Sequence, residues 1–339
     1  MEFGPYGGIC AIMHGRARSF KPPTAAEEAA MQKKAATYTE LSRILVQRRK
    51  QGDHGPETFE IIGKMLRSNP DFYTLWNYRK EILLVKCETE GIPLSQALAH
   101  KRDSAFKVPL SSSAEVLQVE LALTADCIKK NPKSYGAWYH RQWMITFFEF
   151  DVKAELDLCA LLLTADQRNF HCWNYRRFVA TISGASAQSE FEFSTLKLNE
   201  NFSNYSAFHH RSVYITQLAL TESNFQHLMM TEFSLVENAI FTEPDDQSAW
   251  WYRQFLLRWL KQRDAEGAGV DPAWVRQLLE QQLETLQGLL DVEENCRWAI
   301  EAAMQTVQML TERGSEDQGD ADRWSSRARE LLSRLTGAV

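Results

Sequence analysis

The stretch NPKSYGAWYHRQWMI, residues 131–145, decides how the rest of the chain is read, because it returns 35 residues later as DQRNFHCWNYRRFVA, starting at Asp166. Three further copies are NPDFYTLWNYRKEILL from Asn69, NFSNYSAFHHRSVYI from Asn201 and EPDDQSAWWYRQFLL from Glu243. The copies align on Trp76, Trp138, Trp173, Phe208 and Trp250, with spacings of 62, 35, 35 and 42 residues. A period near 35 residues marks stacked helical hairpins, none of which can bury its apolar face alone. The long first spacing holds GIPLSQALAHKRDSAFKVPLSSSAE, 91–115, which reads as an inserted loop. A sixth, degraded copy is read at DVEENCRWAIEAAMQTV, around Trp298.

Each position of the repeat has a physical reading. Four residues before the anchors stand Phe72, Ser134, Asn169, Asn204 and Asp246. Four of these five are helix N-caps, whose side-chain oxygens accept a free backbone N–H. The anchor therefore falls in the first turn of the second helix of each hairpin. One residue before it come Leu75, Ala137, Cys172, Ala207 and Ala249, mostly small enough for close helix approach. Three residues after it every copy has arginine: Arg79, Arg141, Arg176, Arg211 and Arg253. Five equivalent arginines suit a structural task, pairing with a carboxylate or helix-end carbonyls in the next hairpin and stacking on aromatic rings. The segments ahead of each cap carry helical apolar periodicity, and no stretch alternates with the period of a sheet.

The pattern predicts an all-α fold, a right-handed α-solenoid or crescent of stacked hairpins, with second-helix N-termini along one side. Residues 1–20 read as an N-terminal extension with no requirement for order. Residues 21–311 read as the helical-repeat domain of five to six repeats, opened by a capping box at Thr24–Glu27 and a first helix to about Arg49. Residues 312–339 read as a polar tail with room for a short helix at 324–336.

Composition narrows the function classes. The 339 residues are 44% hydrophobic and 24% charged, with a net charge of −6. An acidic balance disfavours a nucleic-acid backbone as partner. No run reaches the length of a membrane span, and no secretory leader is legible. Six cysteines without CxxC or other metal-ligand spacing fit reduced thiols and a cytoplasmic location. No HExxH, GxSxG, GxGxxG or phosphate-binding loop is present, and His209-His210 reads as packing rather than as a metal site.

The residues that break the repeat carry more information. Five positions before the anchor stand Asp71, Lys133, Arg168, Ser203 and Asp245, so only the second and third copies place a cation beside a helix N-terminus. Tyr135 and Phe170 stand three residues before their anchors, and the third copy alone has a histidine, His171, two before. Lys133, Tyr135, Arg168, Asn169 and His171 then form a basic, hydrogen-bonding cluster across two hairpins, suited to an anion such as a diphosphate. Spacing alone leaves open a solvated lysine and a packing histidine.

The N-P-x-x-Y-x-x-W-x-x-R copies resemble those of protein prenyltransferase α-subunits over roughly residues 60–310. The phrases NPKSYGAWYHR, RNFHCWNYRRFVAT, NFSNYS and DDQSAWWYR most resemble the Rab geranylgeranyltransferase (type II) branch. Farnesyltransferase-type α-subunits carry a glutamine where this chain has Gly136, and that glutamine helps hold the carboxylate of a C-terminal tetrapeptide. The resemblance implies a heterodimer with a β-subunit, an α/α barrel carrying zinc and the lipid pocket, with magnesium an optional addition and no metal ligands in this chain. It implies transfer of geranylgeranyl from geranylgeranyl diphosphate to C-terminal cysteines of Rab GTPases presented by a Rab escort protein. It assigns Lys133, Tyr135 and His171 catalytic roles facing the diphosphate, with Asn169 beside them; with Arg168 from the cluster read above, the diphosphate-binding set is Lys133, Arg168, Asn169 and His171. Met13-His14-Gly15-Arg16 is similar to the usual start of Rab-type α-subunits, which makes His14 a weak candidate zinc ligand in trans and residues 1–12 either an extension or the result of a start codon assigned too early. Larger Rab-type subunits add an immunoglobulin-like domain and leucine-rich repeats; this chain reads as the helical domain alone. The alternatives are an α-subunit shared by farnesyltransferase and geranylgeranyltransferase type I, or a non-enzymatic helical-repeat scaffold.

Overall fold

The computed structural model describes residues 24–99, 107–218, 222–266, 270–313, 322–323, 326–331 and 333. The described residues are helical apart from short connections and a single parallel bridge between Val108 and Phe148. The chain divides into two compact units, Met1–Ala185 and Ser186–Val339.

The first unit holds α1 (Ala25–Lys50), α2 (Pro56–Ser68), α3 (Tyr73–Thr89), α4 (Leu94–Ala99), α5 (Leu110–Lys130), α6 (Tyr135–Phe147), α7 (Val152–Ala165) and α8 (Phe170–Ser183). Helices α2/α3, α5/α6 and α7/α8 are hairpins; α2 packs on α5, α3 on α6 and α6 on α8. Helix α1 opens on the capping box of Thr24 and Glu27. In the stretch 91–115, read as an inserted loop, the described residues 94–99 form α4 and 110–115 already belong to α5. Leu94, Ala97 and Val108 are buried with Leu117, Met144 and Phe148, because its apolar residues close the end of the α3–α5–α6 core. The second unit holds α9 (Ala187–Glu200), α10 (Tyr205–Ile215), α11 (Glu222–Thr242), α12 (Gln247–Ala265), α13 (Pro272–Val292) and α14 (Arg297–Glu312). These also pair as hairpins, with α10 on α12, α11 on α13 and α12 on α14. Residues 326–331, in the tail, are helical.

The recurring tryptophan does more than fill space. Each indole N–H donates to a carbonyl six residues back, in the turn ahead of its own helix: Trp76 to Pro70 (2.8 Å), Trp138 to Pro132 (2.9 Å), Trp173 to Gln167 (2.9 Å) and Trp250 to Pro244 (2.8 Å). The cap of the following repeat reaches the same carbonyl. Ser134 Oγ donates to Pro70 O (3.0 Å) and Asn169 Nδ2 to Pro132 O (3.1 Å). Turn, anchor and next cap are thereby tied at one oxygen, which satisfies both of its lone pairs. Ser134, Asn169, Asn204 and Asp246 all accept backbone N–H bonds as caps, whereas Phe72 does not.

Three of the five arginines, Arg79, Arg141 and Arg211, pair with a carboxylate of the next hairpin, as the spacing predicts. Arg79 forks onto Glu120, Arg141 onto Glu155 and Arg211 onto Glu232, with closest approaches of 2.6 Å and both partners buried. Each arginine also donates to a carbonyl twenty residues back, Phe59, Leu121 and Phe191 respectively. Each glutamate then takes a second bond from the hairpin that carries it: His140 Nε2 to Glu120 (2.8 Å), Tyr175 Oη to Glu155 (2.7 Å), Tyr252 Oη to Glu232 (2.6 Å). His210 bonds Glu190 in the same way (2.9 Å), so it is a packing histidine. The glutamates stand eleven residues before Asn131, Asp166, Asn201 and Glu243, a fixed register on the first helix of each hairpin.

The sixth hairpin, α13–α14, is shifted from its expected register. Its cap position is Cys296, so Ile300 rather than Trp298 occupies the anchor position, and Ala303 stands where the other copies have arginine. Ile300 is buried and Trp298 only partly so.

Candidate functional site

The repeat-breaking residues lie at the N-termini of α6 and α8, within the first unit. Lys133 is exposed in the turn before α6, where its backbone N–H donates to Asn131 Oδ1 (3.2 Å). Arg168 holds the equivalent place before α8, its N–H on Asp166 Oδ1 (3.1 Å). Such side-chain-closed turns fix the backbone while leaving the cationic stems on the outside.

Tyr135 is the first residue of α6 and His171 the second of α8. Their rings meet edge to face, 4.3 Å between centroids at 89°. Phe170 lies 4.0 Å from His171 and 6.2 Å from Tyr135. Tyr135, Tyr139 and Phe170 are each about half exposed, while His171 is buried. Together with Gln142 and Asn174 they line an open cleft of about 180 Å³. Burial holds the His171 imidazole below its ordinary pKa, and Lys133 pushes it further down against the opposing pull of Asp71. The ring is therefore neutral at neutral pH. Its Nε2 atom is buried and has no hydrogen-bond partner among the described residues.

Asn169 sits at the centre of this arrangement but faces inward. Its Oδ1 caps the N–H groups of His171 (3.0 Å) and Cys172 (3.2 Å), and its Nδ2 donates to Pro132 O. It orients the first turn of α8, and hence His171, rather than presenting donors outward. Tyr135 and His171 are thus in contact, Lys133 acts on His171 through its charge, and Arg168 is an exposed cation one residue before the cap. His14 lies outside the described residues. Among those described, no group of three or more His, Cys, Asp or Glu side chains is placed to hold a metal ion.

The cleft itself is a product of the repeat. Tyr205, His209, Trp251, Phe255 and Arg258 line a counterpart of about 140 Å³ in the second unit. What distinguishes the first cleft is the Lys133–His171 pair. Tyr139 was missed in the sequence; its signal is an exposed aromatic one residue after an anchor, a position that Trp251 also occupies.

Fold and site together describe an all-α hairpin-repeat protein with a cationic, aromatic-floored edge. The model of the protein prenyltransferase alpha subunit repeat matches residues 56–85, 117–148, 152–182, 187–218 and 229–260. The chain is 32% identical over 293 residues to the geranylgeranyl transferase type-2 subunit alpha of Dictyostelium discoideum, covering 85% of this chain and 86% of that one. It is 36% identical over 254 residues to the rat protein of the same name and 46% identical over 248 residues to subunit alpha 1 of Arabidopsis thaliana. It matches 42% of the length of the rat relative and 34% of the Arabidopsis one. A solved structure, Candida albicans protein geranylgeranyltransferase-I complexed with GGPP, shares the fold with a TM-score of 0.52 at 18% identity, covering 87% of this chain and 91% of that one. The chain belongs to the protein prenyltransferase alpha-subunit family. None of its described helices is long and apolar enough to cross a membrane.

Proposed function

We propose that this chain is the α-subunit of a cytoplasmic, heterodimeric geranylgeranyltransferase of the type-2 (Rab) class. It would pair with a prenyltransferase β-subunit and act with geranylgeranyl diphosphate, Rab GTPases and a Rab escort protein. The observation that carries the reading is the contact of Tyr135 with buried, neutral His171 beside Lys133 at two adjacent helix N-termini. Its chemistry suits an anion: Lys133 and Arg168 supply fixed positive charge, Tyr135 Oη supplies a directional donor backed by the His171 ring, and the helix ends add partial positive charge. A diphosphate gains negative charge as its bond to the lipid breaks, so donors held in place before the reaction favour the transition state over the bound ground state. Asn169 serves by orienting His171.

The described residues do not fit a metal. Zinc, and magnesium if it is used, would belong to the partner, and no step on this chain runs through either. Gly136 favours the type-2 reading over a subunit that reads a C-terminal tetrapeptide, because no side chain is available there to hold its carboxylate.

Co-expression with a type-2 β-subunit provides the test. A stable heterodimer should transfer geranylgeranyl to a Rab protein when escort protein is present and should leave short C-terminal tetrapeptides nearly untouched. Efficient modification of such peptides without escort would move the chain to the shared-subunit branch. Failure to bind any β-subunit would leave a helical-repeat scaffold.

A further inference from the structure

Within the second unit, the ladder of buried ion pairs stops one rung short. Arg253 is 1% exposed and occupies the same place on α12 as Arg79, Arg141 and Arg211 on their helices. The position eleven residues before the next turn, where those arginines find glutamate, is here Gln282 on α13. Gln282 turns its amide toward α11 instead, donating to Glu237 Oε1 (2.8 Å), and Thr285 donates to the same oxygen (3.5 Å). Arg253 retains a bond from Nη2 to Thr306 Oγ1 on α14 (2.8 Å), while its Nε and Nη1 have no partner among the described residues. The second rung is missing too. Ala302 stands where His140, Tyr175, His210 and Tyr252 bond the glutamate in other copies.

The carboxylate that acts on Arg253 thus lies on the arginine's own hairpin rather than on the next one. Glu237 attracts Arg253 within α11–α12 rather than pulling α13–α14 against it. The α13–α14 hairpin is held to α12 by apolar packing, polar contacts and the more exposed pairs Lys261–Glu312 and Arg313–Asp264, without a buried ion pair like the one that ties α11 to α10. A buried guanidinium with unpaired N–H groups is costly, and water reaching it on opening would relieve that cost.

We infer that α13–α14 is a hinged hairpin, which opens from α12 as a cooperative unit while α9–α12 stay folded, with hydration of Arg253 favouring the open form. Such sub-global openings are common where one element lacks the contacts that secure its neighbours.

Hydrogen exchange on the full chain tests this. Central amides of α13 and α14 should exchange about tenfold or more faster than those of α10 and α12. The double substitution Glu237→Gln with Gln282→Glu keeps net charge and volume while returning the carboxylate to the ladder position. It should slow exchange in α13 and α14 by about tenfold or more and leave α10 unchanged. Arg253→Met, which removes the charge but keeps much of the length, should also slow opening. Equal protection of α13–α14 and α10 in the unmodified chain would overturn the inference. So would a double substitution that slows all helices alike or none, or faster opening of α13–α14 in Arg253→Met.

Discussion

Gly136 lies directly against the indole of Trp76 in the preceding repeat. A Cβ at this position would stand 2.6 Å from both Cδ1 and Nε1 of Trp76 and 2.8 Å from Pro70 O. Glycine is required here by packing, because the carbonyl and the ring that would have to yield are hydrogen-bonded to each other. The site that lacks a tetrapeptide-reading glutamine is therefore also one that has no room for it.

Gly136→Ala should accordingly destabilise the chain by about 1–3 kcal/mol, the usual range for overpacking. Trp76→Phe alone removes the N–H bond and part of the bulk and should destabilise as well. The two together should cost less than the sum of the single changes, since the smaller ring makes room for the methyl group. Urea titration of the three variants decides it; strict additivity would show that the two residues do not share the contact.

Scaffold and site should separate under mutation. Arg211 forks onto Glu232, donates to Ser194 and Thr195 and covers the ring of Phe191 at 3.8 Å. Arg211→Ala leaves Glu232 buried without its cation and should cost about 3–5 kcal/mol of stability. Lys133→Ala removes an exposed side chain and should leave the melting temperature and β-subunit binding near their original values. In the heterodimer it should lower single-turnover transfer on the order of 10²–10³-fold. Tyr135→Phe and His171→Ala should lose less, in the same step. Normal turnover by a well-folded Lys133→Ala heterodimer would return that turn to scaffold.

Acid should weaken the fold in two stages. Burial pushes His140 below its ordinary pKa despite the pull of Glu120, so its folded form is neutral. Burial raises Glu120, but the hydrogen bond from His140 and the charge of Arg79 outweigh it and set the carboxyl at about 2. Both groups bind fewer protons folded than unfolded, so each contributes stability that is present above its unfolded pKa and lost as pH falls. The loss should begin below about 6.5 through His140 and deepen from about 4.3 toward 2 through Glu120. Urea midpoints should stay level from pH 8 to about 6.5 and fall from there to pH 4, and His140→Gln should flatten the first stage. A midpoint that rises between pH 7 and pH 5 would contradict this account.

Thiol chemistry offers a separate check on the packing. Cys87, Cys127, Cys159, Cys172 and Cys296 are buried free thiols. Burial raises the Cys87 thiol to about 11 and Cys127 to about 12, and Cys172 is also pushed well up. Only a thiolate reacts quickly, so a Cys10→Ser chain should label slowly with a disulfide reagent at pH 8 and release five thiols once unfolded. Fast labelling of the native chain would show that the hairpins open far more readily than their packing implies.

The sequence alone determined the repeat. Tryptophan spacing, cap residues and the arginine three positions on are local signals, written within single hairpins, and they define the helices and their pairing because capping and periodicity act over a few residues. The cationic additions at Lys133 and Arg168 and the single His171 were legible for the same reason, as departures from a local pattern. The tertiary structure decided what those residues meet. The glutamates that accept the arginines lie between 14 and 41 residues away, on helices that carry other carboxylates such as Glu115, Asp157 and Glu237, so stacking picks out Glu120, Glu155 and Glu232. Stacking likewise turned Asn169 inward, ordered the 91–99 segment over an apolar end, placed Ile300 at the sixth anchor and left Arg253 without a glutamate. Gly136 shows the division most plainly: its missing side chain is visible in one letter, but the reason is an indole sixty residues earlier that only the packed hairpins bring within 2.6 Å.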